Sequence, residues 1–278
     1  MEAYIADLAD VFELVRMVLA DNGTLWLNIG DSYVAQRKGP GGKDKSTLSN
    51  PDAPKRAHTD TFFVRYSRRN WLRRKNLIGL PWRIAFALQA RGWILRDCII
   101  WNKPNPSPES AKDRCTKAHE YVFMLSKGPR YYYDHEAISE PRQTDHDKPM
   151  GGWQYGDGPH DAVDHNRPLE GTRSKYDYKD EKKKPAGPRR NRRSVWTIPV
   201  EPYKGPHYAT FPTALVAPCV LAGCPPGGTV LDPFMGTGTV AAVAEMLGRH
   251  WLGVELNEDE YRPLIEDRLA NAQPGMKL

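Results

Sequence analysis

The densest chemistry in the chain lies in T-V-L-D-P-F-M-G-T-G-T, residues 229–239. An apolar run ends in Asp232-Pro233-Phe234, then Gly236-Thr237-Gly238 follows, then a helical pattern begins. Glycines at such a place let the backbone turn tightly and approach a ligand closely. The next apolar run reads as a strand ending in Glu255, 17 residues after Gly238. An acidic side chain there can accept both ribose hydroxyls of an adenosine ligand. The spacing describes a nucleoside-cofactor crevice in a doubly wound sheet, although a strand-turn-helix with no ligand has the same local form. Glycine spacing does not select the cofactor, because Ala241 also satisfies the dinucleotide pattern G-x-G-x-x-A. Asp232 is the better discriminator. A carboxylate at the strand tip repels a pyrophosphate and attracts the cationic methionine end of S-adenosyl-L-methionine.

Two basic segments form the second group of candidates. Residues 65–75 (R-Y-S-R-R-N-W-L-R-R-K) hold six cations and two aromatics, and 182–193 (K-K-K-P-A-G-P-R-R-N-R-R) hold seven cations. Such segments grip phosphates with a salt-dependent affinity, or they are solvated loops. The DNA-contact candidates are Arg68, Arg69, Arg73, Arg74 and Lys75 in the first segment. In the second they are Lys182, Lys183, Lys184, Arg189, Arg190, Arg192 and Arg193. Asp31 ends an apolar run and suits either a ligand edge or a cap. His119-Glu120 resembles a metal pair only superficially, and no metal is expected. His207 is a candidate near the cofactor. Cys219 and Cys224 read as core and turn residues.

The elements that must position these groups are readable from periodicity. Residues 2–20 have helical spacing and stop at Asn22-Gly23. Strands are expected over 24–29, 93–101, 119–126, 229–232 and 251–255, and helices after Pro81, over 211–221, over 240–248 and at the end. Too little chain follows the glycine loop to complete a sheet, so its other strands must come from earlier in the sequence, a permuted order. Residues 139–193 are rich in Gly, Pro, Asp, His and Lys and poor in aliphatics, which marks a loop-rich insertion. The expected organisation is 1–138 and 194–278 as two halves of one α/β core, with 139–193 inserted.

Composition narrows the class. The 278 residues can bury a sizeable core, and 8 Trp, 13 Tyr and 7 Phe argue against wholesale disorder. Forty basic against 34 acidic residues give a net charge of +6, which allows a polyanionic partner without requiring one. No apolar run is long enough to span a membrane, the start lacks a signal-peptide layout, and the four cysteines include no C-x-x-C pair. The expectation is a reduced, cytoplasmic protein.

With this order and these motifs in view, the chain resembles the permuted beta class of DNA amino-methyltransferases. These enzymes methylate the exocyclic amine of cytosine or adenine, typically within restriction-modification systems. D-P-F-M-G-T-G-T (232–239) is similar to the family's cofactor loop, and G-V-E-L (253–256) to its ribose-binding strand end. I-I-W-N-K-P (99–104), H-E-Y-V-F-M-L-S-K (119–127) and G-T-L-W-L-N-I-G-D-S-Y (23–33) resemble core strands. H-Y-A-T-F-P-T-A-L-V (207–216) resembles the segment that contacts the methionine part, which implies Thr210, Phe211 and Pro212 as cofactor contacts beside Asp232, Pro233, Phe234, Gly236, Thr237, Gly238 and Glu255.

The resemblance implies a doubly wound, Rossmann-like methyltransferase sheet, S-adenosyl-L-methionine as cofactor and double-stranded DNA as partner. It also implies a cognate restriction endonuclease, with target recognition in 139–193. The family's catalytic Asp/Asn/Ser-Pro-Pro-aromatic motif precedes the helix that here begins near Tyr4, so it is expected upstream of Met1 and no catalytic residue is assigned. Pro225-Pro226 has no following aromatic and reads as a turn. The general similarity, L-N-I-G-D-S-Y included, leans toward cytosine-N4. The alternative is a catalytically impaired, N-terminally truncated remnant that keeps DNA and cofactor binding.

Overall fold

Ile5, Ala9, Phe12 and Val15 recur at three- and four-residue spacing and form the buried stripe of α1 (Glu2–Val18). The computed structural model describes residues 1–34, 72–142, 188–201 and 211–272. The chain divides into two compact units, Met1–Ala137 with Arg193–Leu278, and Ile138–Arg192. After α1 the chain turns sharply at Gly23, where a Cβ would lie 2.6 Å from Leu19 Cδ1. It then enters β1 (Thr24–Ile29).

Pro81 sits in the first turn of α2 (Leu80–Ala90), which buries Ile84, Ala85 and Leu88 and stops before Gly92 at φ 91°. The strands β2 (Ile94–Asn102) and β3 (His119–Ser126) follow. In the second unit the short strands β4 (Glu140–Pro141) and β5 (Arg189–Arg190) pair antiparallel. β6 (Val195–Thr197) returns to the first unit and pairs parallel with β2, Trp196 opposite Trp101.

The resulting four-stranded sheet has the order β1-β3-β2-β6, with β3 antiparallel to both neighbours. Its side chains alternate between faces. Leu25, Leu27, Ile29, Tyr121, Phe123 and Leu125 pack with α1 and α2, whereas Trp26, Val122, Ile99 and Trp101 face the other way, toward Trp196 and Leu215. A bulge between Leu95 and Asp97 resets the phase of β2. It lets Leu95 and Cys98, three residues apart, reach the same cluster.

The C-terminal part is built from α3 (Thr213–Gly223), β7 (Thr229–Asp232), α4 (Thr239–Met246), β8 (His250–Gly253) and α5 (Glu258–Ala270). β7 and β8 pair in parallel, and α3, α4 and Val230 share a core. Pro225-Pro226 is the expected turn: Gly228 N–H reaches Pro225 O at 2.9 Å, with Gly227 at φ 72°. The α/β class expected from the sequence is the class the chain adopts. Among the described residues the strands of the first unit form two ladders, linked through helices. Leu231 of β7 packs into the cluster under α1, and Gly223 at the end of α3 receives the Thr24 hydroxyl of β1.

One boundary differs from the sequence reading. β8 ends at Gly253, two residues before Glu255. Val254 N–H still reaches Asp232 O, but Val254 O accepts from Met235 N–H, so the backbone closes onto the glycine loop instead of extending the ladder.

Candidate functional site

β7 delivers Asp232 to the start of the loop 233–238. Gly236 and Gly238 adopt φ 52° and 76°, left-handed values that glycine takes without a Cβ clash. Gly238 starts α4 and accepts the Ala242 N–H. Glu255, two residues past the end of β8, fixes the loop from the other side. Its Oε2 accepts the Gly236 N–H at 2.8 Å, and its Oε1 accepts the Asn257 N–H at 2.9 Å. A carboxylate with one backbone donor on each oxygen has a set orientation and further lone pairs to offer. Met235 packs beneath β8, where a Cβ on Gly253 would lie 1.9 Å from its Sδ.

Between loop and strand end lies a cleft of about 600 Å³. Phe211, Phe234, Leu256 and Tyr261 give it apolar surface, and Gly236, Thr237, Glu255 and Asn257 contribute polar groups to the wall. Among the described residues no lysine or arginine lines it. Asp232 is half-buried, and its Oδ1 accepts the Phe234 N–H at 3.0 Å. Burial pushes its carboxyl above the usual range, the Phe234 N–H pulls back, and the Glu255 charge pushes it up again. Burial, with the Glu260 and Glu255 charges, raises the Tyr261 phenol. Glu255 in the wall and Asp232 at the root of the loop, with no lysine or arginine lining the cleft among the described residues, suit a nucleoside that carries positive charge and oppose a pyrophosphate.

The structure thus brings Asp232, Pro233, Phe234, Gly236, Thr237, Gly238, Glu255 and Phe211 to one loop and cleft. Pro212 is fully buried as the residue before α3, and Thr210 and His207 lie outside the described residues. Asn257 and Tyr261 line the cleft without having been expected. The signal was an aromatic in the otherwise charged first turns of the last helix.

The basic candidates are dispersed. Arg68, Arg69, Lys182, Lys183 and Lys184 lie outside the described residues. Arg73 and Arg74 are exposed, and neither pairs with a carboxylate among the described residues, whereas Lys75 pairs with Asp113. Arg189 donates to Ser139, and Arg190 forms a 2.8 Å ion pair with Glu140, so its charge is matched locally. Arg192 is half-buried. Arg193 is exposed, and its carbonyl accepts the Trp196 indole N–H.

At the ends of β1 and β2 a polar cluster has a structural role. Asp31 accepts the Gly79 and Leu80 N–H groups at 3.1 and 3.0 Å, capping α2 from 48 residues away. Glu120 pairs with Lys103 and accepts from Asn28, so its carboxylate is engaged, while His119 packs edge-on against Tyr121.

A family model described as DNA methylase, the N6/N4 methyltransferase model, matches residues 1–267. The type II methyltransferase M.SmaI of Serratia marcescens is 45% identical over 271 residues, covering 96% of this chain and 74% of the relative. M.Cfr9I of Citrobacter freundii, also a type II methyltransferase, is 40% identical over 269 residues, covering 97% and 72%. Among solved structures, the cytosine-N4-specific PvuII DNA methyltransferase aligns with a TM-score of 0.55 at 13% identity, covering 98% of this chain and 78% of that one. TTHA0409 of Thermus thermophilus, described as a putative DNA modification methylase and solved with S-adenosyl-L-methionine, aligns with a TM-score of 0.53 at 24% identity, covering 99% and 80%. These two structures share the fold.

Proposed function

The chain belongs to the N6/N4 DNA methylase family, and on that premise we propose that it transfers a methyl group from S-adenosyl-L-methionine to the exocyclic amine of a base flipped out of duplex DNA, cytosine-N4 favoured over adenine-N6. The observation that carries the cofactor is a cleft with the Glu255 carboxylate in its wall, Asp232 at the root of the loop that lines it and, among the described residues, no cation in the lining. S-adenosyl-L-methionine, when bound, supplies a methyl group on a positively charged sulfur.

The chain's own residues bind and orient. Glu255, held by the Gly236 and Asn257 N–H groups, accepts ribose hydroxyls. Asp232 offers a carboxylate to the cationic methionine end. Phe211, Phe234 and Tyr261 bound the cleft with aromatic surface and exclude water from it. An exocyclic amine is conjugated into its ring and is a weak nucleophile, so positioned acceptors for its hydrogens matter. Each such interaction is worth on the order of 10²–10³-fold in rate. No residue of the described chain is assigned that role. The leaning to cytosine-N4 rests on the resemblance that includes L-N-I-G-D-S-Y.

The partner in this reading is double-stranded DNA. The type II names of the relatives support a restriction-modification setting with a cognate endonuclease, and a cytoplasmic location follows from that setting. Among the described residues no helix is long and apolar enough to cross a membrane.

The test is methyl transfer by the 278-residue chain to duplex DNA, followed by digestion to nucleosides and mass spectrometry. N4-methylcytosine is expected, and N6-methyladenine would move the target to the other amine. Cofactor binding without any methylated nucleoside would favour a chain that binds but does not catalyse. In calorimetry Glu255→Ala should weaken cofactor binding about 10- to 100-fold. Failure of the unaltered chain to bind the cofactor would remove the reading altogether.

A further inference from the structure

We propose that the loop 103–118 and the turn 72–77 form a preassembled platform for DNA phosphates, with Arg73, Arg74 and Lys112 as its contacting cations. The proposal deepens the reading of the chain as a DNA methyltransferase and rests on it. β2 and β3 are adjacent antiparallel strands, which about two to five residues suffice to join. Here 16 residues, 103–118, join them. Most are exposed, yet the loop is held at four separate places.

Asn105 brackets Val200, its Nδ2 donating to the carbonyl at 3.1 Å and its Oδ1 accepting the N–H at 2.8 Å. The Lys117 ammonium donates to the Asp31 carbonyl. The Arg114 guanidinium lies 4.1 Å from the centre of the Tyr33 ring and pairs with Glu109. Asp113 pairs with Lys75. Tyr33 is itself fixed, because it bridges to Leu77, Val34 N–H reaches Asn76 O, and Ile78 N–H reaches Ser32 O. Leu72 and Ile78 bury the base of the turn in the core.

The charges of the two segments are unbalanced. Residues 73–77 and 109–117 hold six cations, Arg73, Arg74, Lys75, Lys112, Arg114 and Lys117, against two carboxylates. Both carboxylates are used in construction, Glu109 on Arg114 and Asp113 on Lys75. Arg73, Arg74 and Lys112 remain exposed, with no carboxylate partner among the described residues. The turn that presents the two arginines is closed by Asn76, whose backbone and side-chain N–H groups both reach Arg73 O. It also places Lys75 at φ 67°, a left-handed conformation that a non-glycine residue rarely adopts. Crowded like charges repel, and a polyanion offsets that repulsion. Because the backbone beneath them is already fixed, the three cations meet phosphates with little ordering cost. Phosphate contacts fix register and carry no base sequence.

The test uses the full chain and two duplexes of equal length and unrelated sequence, over a salt series. Replacing Arg73, Arg74 and Lys112 together by alanine should flatten the plot of log affinity against log salt by roughly 0.9 per lost contact. The loss should be equal on both duplexes, with calorimetric cofactor binding unchanged as the check on folding. Arg73→Lys with Arg74→Lys should keep the slope. A wild-type slope in the triple variant, or a slope lost in the lysine variant, would overturn the platform. Failure of methyl transfer with the expected slopes would instead remove the enzymatic reading and leave the platform standing.

Discussion

Asp232 works against the fold that presents it. Its carboxyl is raised, first by burial and then by the Glu255 charge, with the Phe234 N–H only partly offsetting them. A carboxyl whose pKa rises on folding holds its proton more tightly in the folded state. Its stabilising contribution is therefore present at low pH and is lost as pH rises through the raised folded-state value. The ionised form is also the form that attracts a cationic ligand. Asp232→Asn should therefore leave the ligand-free protein as stable as wild type at low pH and more stable above the raised value, in thermal melts across pH. The amide can still accept the Phe234 N–H. Cofactor affinity in the same variant should fall about 10-fold or more, and wild-type affinity should rise with pH across the Asp232 titration. A variant less stable than wild type above that titration would show that burial is not what perturbs the group. Asp232 and Glu255 were visible in the sequence because their chemistry depends on type and spacing alone. Asp31 as a cap of α2 was not, because its partners Gly79 and Leu80 are brought to it only by the closed fold. Tyr261 was hidden for a related reason. Its place in the cleft depends on how α5 leaves Glu255, and α5 buries no residue that would have printed a periodicity.

β1, β3 and β7 begin and end where the apolar runs do, because a glycine or polar turn bounds each run. β2 was harder to read. Arg96 and Asp97 look like a break, whereas the chain absorbs them in a bulge that keeps Leu95 and Cys98 on one face. β8 is shorter than its apolar run because Val254 bonds back to Met235 and Asp232. That closure depends on Gly253, which nothing in the local sequence marks as constrained. A Cβ there would meet Met235 at 1.9 Å from Sδ and 2.9 Å from Cγ, too close for a small side-chain adjustment. Gly253→Ala should cost about 1–3 kcal/mol in denaturant unfolding and weaken cofactor binding, since Met235 belongs to the loop that lines the cleft. Met235→Ala added to it should recover part of both, a coupling of the kind expected for residues in contact. Two losses that simply add would mean that the side chain and the strand do not share that space.

Over the whole first unit, stability is unevenly distributed. The four-stranded sheet has α1 and α2 on one face and, on the other, the Trp26–Trp101–Trp196 cluster with Leu215 of α3, and its long strands bury Phe123 and Leu125 completely. The β7–β8 pair is two four-residue strands, and its neighbour α5 has no buried residue. Leu252 is 62% exposed and Val254 57%. Among the described residues, helix packing and not ladder hydrogen bonds joins this pair to the larger sheet. Regions with few buried apolar contacts open at lower free energy than core strands. A ligand that binds only the folded cleft adds about 2.7 kcal/mol at a hundred times its dissociation constant. That gain appears at an amide only where opening the amide also destroys the cleft. S-adenosyl-L-methionine should therefore slow hydrogen exchange at Val230–Gly253 strongly. The amides of Leu25–Ile29 should change little, provided they exchange by local opening that leaves the cleft intact. Equal slowing in both segments would show that the two ladders open as one cooperative unit. No slowing at Val230–Gly253 would show that the ligand does not bind in the cleft beyond the ends of β7 and β8.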